Sequence, residues 1–205
     1  MAGEVERGRD LDRVAAFSDG VFAIAITLLA LTITIPTNSE RPISDVLRDL
    51  AQPVLIYFIS FWVIAIYWRA HHRMWHFIHR VDGTFIGLNL VLLSFVALTP
   101  FPTDLIGIYG GTSEAAIVYA LAVSATGLSS AVVWAYAARE NGIMRDEIPR
   151  DVRGRVLRRA LAAPAVFLAS IPIALVDADV AMYCWLLIVP VRIWAGRGMG
   201  SVYDI

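Results

Sequence analysis

A long apolar segment near the start of the chain, from Arg13 to Ile35, limits the possible folds more than any other feature. A membrane-spanning helix needs about 20 mostly apolar residues, so this segment is long enough to cross a bilayer. It begins, however, with Arg13, Ser18 and Asp19. Ionisable groups inside a membrane cost free energy unless they are paired or hydrated, and they mark a functional site by default. We therefore interpret this helix as the lining of an ion pathway.

Further apolar segments predict an all-α membrane protein with six transmembrane helices. The composition agrees, because 58% of the residues are hydrophobic and only 17% are charged, which is too apolar for an ordinary soluble domain. Pro36 is expected to stop the first span, Ser44 to cap a short surface helix, and Pro100 and Pro102 to break or kink the third span. The single predicted domain covers residues 1–205, with spans at about 13–35, 53–76, 84–106, 114–138, 160–176 and 178–195 and a basic loop at 139–159.

The distribution of arginine predicts the orientation in the membrane. If the N-terminus is inside, the inner segments are 1–13, 69–80, 139–159 and 192–205, and they hold 15 of the 17 basic residues. The outer connections hold only Arg41 and Arg48. Because cytoplasmic segments carry an excess of positive charge, we expect both chain ends to be cytoplasmic and the protein to lie in the cell's inner (plasma) membrane.

One face of the first helix has the pattern of a pore lining. The spacing of four, three, four and three residues places Gly20, Ile24, Thr27, Leu31 and Thr34 on one side of a helix, with Leu28 beside them. If several copies met around an axis, the apolar side chains would form constrictions, and the threonines would form rings of oxygen between them. The alternative is that this face packs against a neighbouring helix and that each threonine bonds to its own backbone.

The polar start of this helix also carries a family resemblance. Arg13-Val-Ala-Ala-Phe17-Ser18-Asp19 matches the Arg-x-x-x-Phe-Ser-Asp signature of the transmembrane protein 175 family of potassium channels. The chain also resembles the family's prokaryotic branch at Trp68 with His71-His72, at Asn89 and at Thr99-Pro100-Phe101-Pro102. The resemblance implies a potassium channel without a pore-loop selectivity filter, in which the first helix lines a central pore. Since this chain holds one six-span unit, a homotetramer is implied.

The resemblance also implies roles for individual residues. Ile24 matches the main hydrophobic constriction, Leu28 and Leu31 match further apolar layers, and Thr27 matches a hydroxyl layer. A polar network at the cytoplasmic end of the helix is implied as well, made of Arg13, Phe17, Ser18 and Asp19, together with His71, His72 and Asn89. Prokaryotic members of the family imply only a modest preference for potassium over sodium.

Other functions find less support in the sequence. Histidines 71, 72, 76 and 79 include pairs that share a helix face, but no HExxH motif or nearby cysteine completes a metal site. We instead expect His71 or His72 to join the polar network. Ser18 and Asp19, as neighbours on a helix, do not form a hydrolase triad, so we expect no enzyme activity.

A small secondary transporter or a non-conducting structural membrane protein remains an alternative. We expect no cofactor and no nucleic acid partner; the expected partners are the lipid bilayer, further copies of the chain and permeant potassium or other monovalent cations.

Overall fold

A computed structural model describes residues 2–35, 41–139, 143–144 and 149–195. Within these ranges the chain is helical, and its only β-type pairing is an isolated bridge between Ile78 and Met144, so the all-α fold class is confirmed. The α-helices are α1 (Ala2–Leu28), α2 (Ile43–Trp75), α3 (Gly83–Leu98), α4 (Pro100–Ile108), α5 (Ser113–Ala137), α6 (Arg150–Ala174), α7 (Ala178–Cys184) and α8 (Ile188–Ala195), with 3-10 turns at Leu29–Thr32 and Trp185–Leu187.

Five helical segments of the described chain are long and apolar enough to cross a membrane. They are Asp10–Thr32, Ile43–Trp75, Gly83–Ile108, Ser113–Ala137 and Val152–Ala174. The sixth predicted span, 178–195, is divided into α7, a 3-10 turn and α8. Its apolar part, Ala178–Leu187, is shorter than the other five.

Two predicted boundaries are wrong because two helices begin earlier than expected. The short helix predicted at Ser44 is the first part of α2, which follows Pro42, has no side-chain cap and continues through Pro53 for 33 residues. Proline removes one backbone hydrogen bond from a helix, and this turn lies beside the exposed residues Ala51 and Gln52 and not in the packed core. Likewise, the second half of the predicted basic loop is helical, because α6 begins at Arg150 after Pro149.

The break predicted in the third span is confirmed. Thr99 joins α3 to α4, and α4 begins with Pro100 in its first turn. The missing proline N–H groups at 100 and 102 interrupt the helical hydrogen bonds there. The Thr99 hydroxyl instead donates to the Phe95 carbonyl oxygen at 3.1 Å, which satisfies one of the carbonyls at the end of α3.

The other end of α3 is attached to α5 by Asp82. Its carboxylate accepts a hydrogen bond from the Phe85 backbone N–H at 2.8 Å and from the Tyr136 hydroxyl at 2.9 Å. The Phe85 hydrogen bond is the main reason why the pKa of this carboxyl lies below its ordinary value. Arg139 stacks on the Tyr136 ring, 3.9 Å from its centroid. These contacts set the position of α3, which carries Asn89.

Candidate functional site

The two sides of α1 differ in burial. Ser18, Phe22, Ala25 and Leu29 are buried, and their spacing puts them on one side of the helix. This side faces α2, α3 and α4. The opposite side is exposed although it is apolar, with 60% of Ile24 and 76% of Leu31 accessible. A single chain therefore leaves an apolar face of its first helix uncovered.

The five predicted pore residues are all exposed. Ile24, Thr27 and Leu28 belong to the last turns of α1, and all three are exposed. Leu31 lies in the 3-10 turn, and Thr34 follows in non-helical backbone. The chain is already extended at Ile33, with φ −88° and ψ 93°. The helical spacing predicted as far as Thr34 is therefore wrong beyond Leu28, and the expected stop at Pro36 lies outside the described residues.

The orientation of the Thr27 hydroxyl matters for its chemistry. Its proton is donated to the Ile24 carbonyl oxygen at 2.8 Å, as the alternative interpretation expected. The face on which it lies is nevertheless not packed against another helix of the described chain, since Thr27 is exposed. A hydroxyl whose proton is engaged keeps its lone pairs available. Thr27 can therefore act as a hydrogen-bond acceptor or as an oxygen ligand for a cation.

The buried side of α1 is joined to two other helices by a chain of four hydrogen bonds. The Trp75 indole N–H donates to His71 Nδ1 at 3.2 Å. His71 Nε2 therefore carries the proton and donates to Asn89 Oδ1 at 2.8 Å. The Asn89 amide donates to Ser18 Oγ at 2.9 Å, and Ser18 donates to the Val14 carbonyl oxygen at 2.8 Å. Each N–H or O–H donor has one acceptor, so the four hydrogen bonds that link α2, α3 and α1 can all form at the same time.

Asp19 makes a second set of contacts to α2. Its carboxylate accepts a hydrogen bond from the Trp68 indole N–H at 2.9 Å. Its other oxygen lies 3.6 Å from His72 Nδ1, and both side chains are partly exposed. Trp68 also packs against His72 with ring centroids 5.3 Å apart. Asp19 is thus directed toward α2.

Arg13 and Phe17 belong to neither set of contacts. Both side chains are exposed, and within the described chain no hydrogen bond or ion pair joins Arg13 to Asp19. Arg13 and Phe17 instead line an open groove of about 520 Å³ between α1 and the start of α3, and Asn89 also borders this groove. Asp19 therefore contacts Trp68 and His72 rather than Arg13.

Two tryptophans of these contacts were not among the predicted site residues. Trp75 lies four positions after His71 and Trp68 lies four positions before His72, which is the spacing of neighbours on one helix face. That spacing could have indicated from the sequence that each tryptophan lies beside a histidine of the network. Of the other two histidines that were considered as metal ligands, His76 makes an edge-to-face contact with His72, and His79 is exposed in the following loop.

Comparisons with known proteins identify the family. Residues 13–100 match the family model described as the endosomal/lysosomal potassium channel TMEM175. A protein named as a potassium channel from Chamaesiphon minutus is 30% identical over 180 residues, which are 85% of this chain and 89% of that relative. The chain belongs to the TMEM175 family.

Two more proteins resemble this TMEM175-family chain. A protein named as a potassium channel from Streptomyces collinus is 39% identical over 132 residues, or 62% of this chain and 64% of that relative. A crystal structure described as a lysosomal potassium-selective channel TMEM175 homolog from Chamaesiphon minutus has a TM-score of 0.77 and 28% identity, covering 91% of this chain and 98% of that one. The family resemblance predicted from the Arg13–Asp19 motif is thus confirmed. The protein is a multi-pass membrane protein of a channel family, not an enzyme.

Proposed function

We propose that this TMEM175-family protein is a potassium-permeable cation channel in which four copies surround a pore lined by α1. The observation that carries the proposal is the uncovered apolar face of α1, which includes Ile24, Leu28 and Leu31 although the helix's other side is buried. Relatives named as potassium channels support the permeant ion. Since closed symmetry buries the same face of every copy, a ring of four chains would cover this surface without leaving an unpaired copy.

In the proposed pore, Ile24, Leu28 and Leu31 form successive apolar layers, and Thr27 supplies a layer of oxygen between them. Apolar constrictions exclude water when they narrow, which blocks ions without any charged gate. The Thr27 hydroxyl protons are engaged by the Ile24 carbonyls, so lone pairs face the axis and replace part of the hydration shell of a cation. Thr34, after the 3-10 turn, would belong to the outer mouth.

The proposed orientation places both chain ends in the cytoplasm, with the protein in the plasma membrane. The arginine distribution supports it, since Arg41 and Arg48 are the only basic residues of the outer connections. The Ser18 and Asp19 contacts then lie in the cytoplasmic half of α1. In this role they hold α1 against α2 and α3 so that its apolar face stays directed toward the axis.

The test is cation flux through the purified full chain in liposomes. We expect potassium to move down its gradient without a coupled ion, and Ile24→Ala to increase the flux because it widens the narrowest layer. Leu121→Ala is the matched control, since Leu121 is an exposed leucine on α5, and it should leave the flux unchanged. Absence of passive potassium flux at every voltage and pH, or flux only with a coupled ion, would refute the channel. Native mass spectrometry of the same preparation should show four chains.

A further inference from the structure

A second cavity lies on the opposite side of α2 from the α1 contacts. Its volume is about 200 Å³, and it is enclosed by the last turns of α2, the last turns of α5 and the first turns of α6. Helix α5 packs closely on α6 there but touches α2 at few points, which leaves the space open. None of the lining residues in the described part of the chain comes from α1, so neither the proposed pore nor the polar contacts of Ser18 and Asp19 use it.

The charge of this cavity comes from three arginines. Arg69 and Arg73 lie four positions apart on α2 and therefore on one face of that helix, and Arg159 enters from α6. None of the lining residues that the structure describes is an aspartate or a glutamate. Guanidinium groups bind phosphate oxygens through paired N–H donors. The cavity therefore has the donor chemistry of a phosphate site.

The remaining wall is apolar and aromatic. It includes Tyr67, Met74, Phe77 and Trp134. One turn before the lining residue Ile66, on the same face of α2, Trp62 is 63% exposed. An apolar strip therefore runs from the cavity along α2 toward the middle of the bilayer. A ligand that carries both a phosphate and a hydrocarbon chain would satisfy both parts of this surface.

We propose that the cavity between α2, α5 and α6 binds the phosphate headgroup of an anionic phospholipid, with the acyl chains along the Trp62–Ile66 strip. Its volume favours a headgroup, because pockets that enclose a whole small-molecule ligand are commonly about 300–1,000 Å³. Basic pockets between transmembrane helices are a known form of anionic-lipid site. The location of all three arginines at the end of the bundle where α2 ends and α6 begins matches the depth of a headgroup layer.

The experiment measures phosphatidylglycerol binding to the purified full chain by native mass spectrometry, with phosphatidylcholine as the reference lipid. Arg69→Gln is the main variant, because Arg69 is exposed and its replacement leaves the packing intact. The loss of one arginine should weaken phosphatidylglycerol binding roughly fivefold. Arg69→Lys should give an intermediate affinity, because lysine keeps the positive charge but lacks the paired N–H donors. Arg159→Gln should act in the same direction.

The matched control is Arg158→Gln, which removes the same charge from α6 at the exposed neighbouring position outside the cavity. It should leave phosphatidylglycerol binding unchanged. Equal weakening by Arg158→Gln and Arg69→Gln would indicate diffuse attraction to cytoplasmic arginines and would overturn the site. If glycerol phosphate, which has no acyl chains, bound as strongly as phosphatidylglycerol, the cavity would be a site for a soluble phosphate compound. That result would refute the proposal of a lipid ligand. Neither readout depends on ion conduction, so failure here leaves the channel proposal intact.

Discussion

The hydrogen bond between Asn89 and Ser18 is the most direct polar link between α1 and α3, and a double-mutant cycle measures its strength. Asn89→Leu keeps the branched shape of the side chain but removes the acceptor of His71 Nε2 and the donor to Ser18 Oγ. Ser18→Ala removes the acceptor of the Asn89 amide and also the hydroxyl that donates to the Val14 carbonyl oxygen. The exposed fractions of Ser18, Asn89 and His71 are 0%, 1% and 2%, so water cannot replace the lost partners.

The expected magnitudes follow from this burial. Leaving a buried donor without an acceptor costs about 1–3 kcal/mol, and we expect Asn89→Leu to lower the free energy of unfolding by that amount. Interhelical hydrogen bonds in membranes contribute about 0.6 kcal/mol on average and about 1.7 kcal/mol at most. The coupling between Ser18→Ala and Asn89→Leu should fall in that range. For a chain of this size, it corresponds to roughly 1–7 °C in melting temperature.

The assay is the melting temperature of the purified protein in detergent, followed by tryptophan fluorescence, for both single variants and the double variant. Ser94→Ala is the matched control, because Ser94 is exposed on α3 and its hydroxyl bonds only to the Val91 carbonyl oxygen. It should change the melting temperature little. Strict additivity of Ser18→Ala and Asn89→Leu, or an effect of Ser18→Ala no larger than that of Ser94→Ala, would show that the buried link does not hold α1.

Two further predictions concern packing on either side of α2. Asp19→Ala should lower the melting temperature more than Asp19→Asn, because asparagine keeps an acceptor oxygen for the Trp68 indole N–H; equal losses would assign the effect to the carboxylate charge instead. Gly127→Ala should cost about 1–3 kcal/mol through overpacking, because an added Cβ would overlap Pro164. Gly87→Ala is its control, since nothing lies within 4 Å of the Cβ that it would add, and an equal loss there would refute the packing argument.

The parts of this fold that depend on local chemistry were predictable. The five long spans are recognisable because each needs only an unbroken apolar stretch of the right length. The break at Thr99 was expected because proline lacks an N–H wherever it occurs. The exposed stripe of α1 follows from a spacing of three and four residues. Each of these inferences uses residues that are close together in the sequence.

The parts that depend on tertiary contacts were not predictable from patterns within the helices. Ser18 and Asn89 are 71 positions apart, and no pattern within either helix indicates that they meet; only the family resemblance placed them in one network. The continuation of α2 through Pro53 and the start of α6 at Arg150 were missed because polar residues near a membrane surface are compatible with either loop or helix. A helix forms where its first turns extend a span that is already packed, because each added residue then contributes one backbone hydrogen bond.

The positions of the charged and apolar residues on α1 bear on how an ion would pass. Asp19 is directed toward Trp68 and His72 on α2, and Ser18 toward Asn89 on α3. The uncovered face just beyond them offers Ile24, Leu28 and the oxygen of Thr27 instead. In the proposed pore, the barrier to a cation is therefore the loss of its hydration water at the apolar layers, and hydroxyl oxygens lower this barrier. No fixed carboxylate attracts the cation there. A site without fixed charge distinguishes potassium from sodium mainly by their hydration free energies, and this is why we expect its selectivity to be modest.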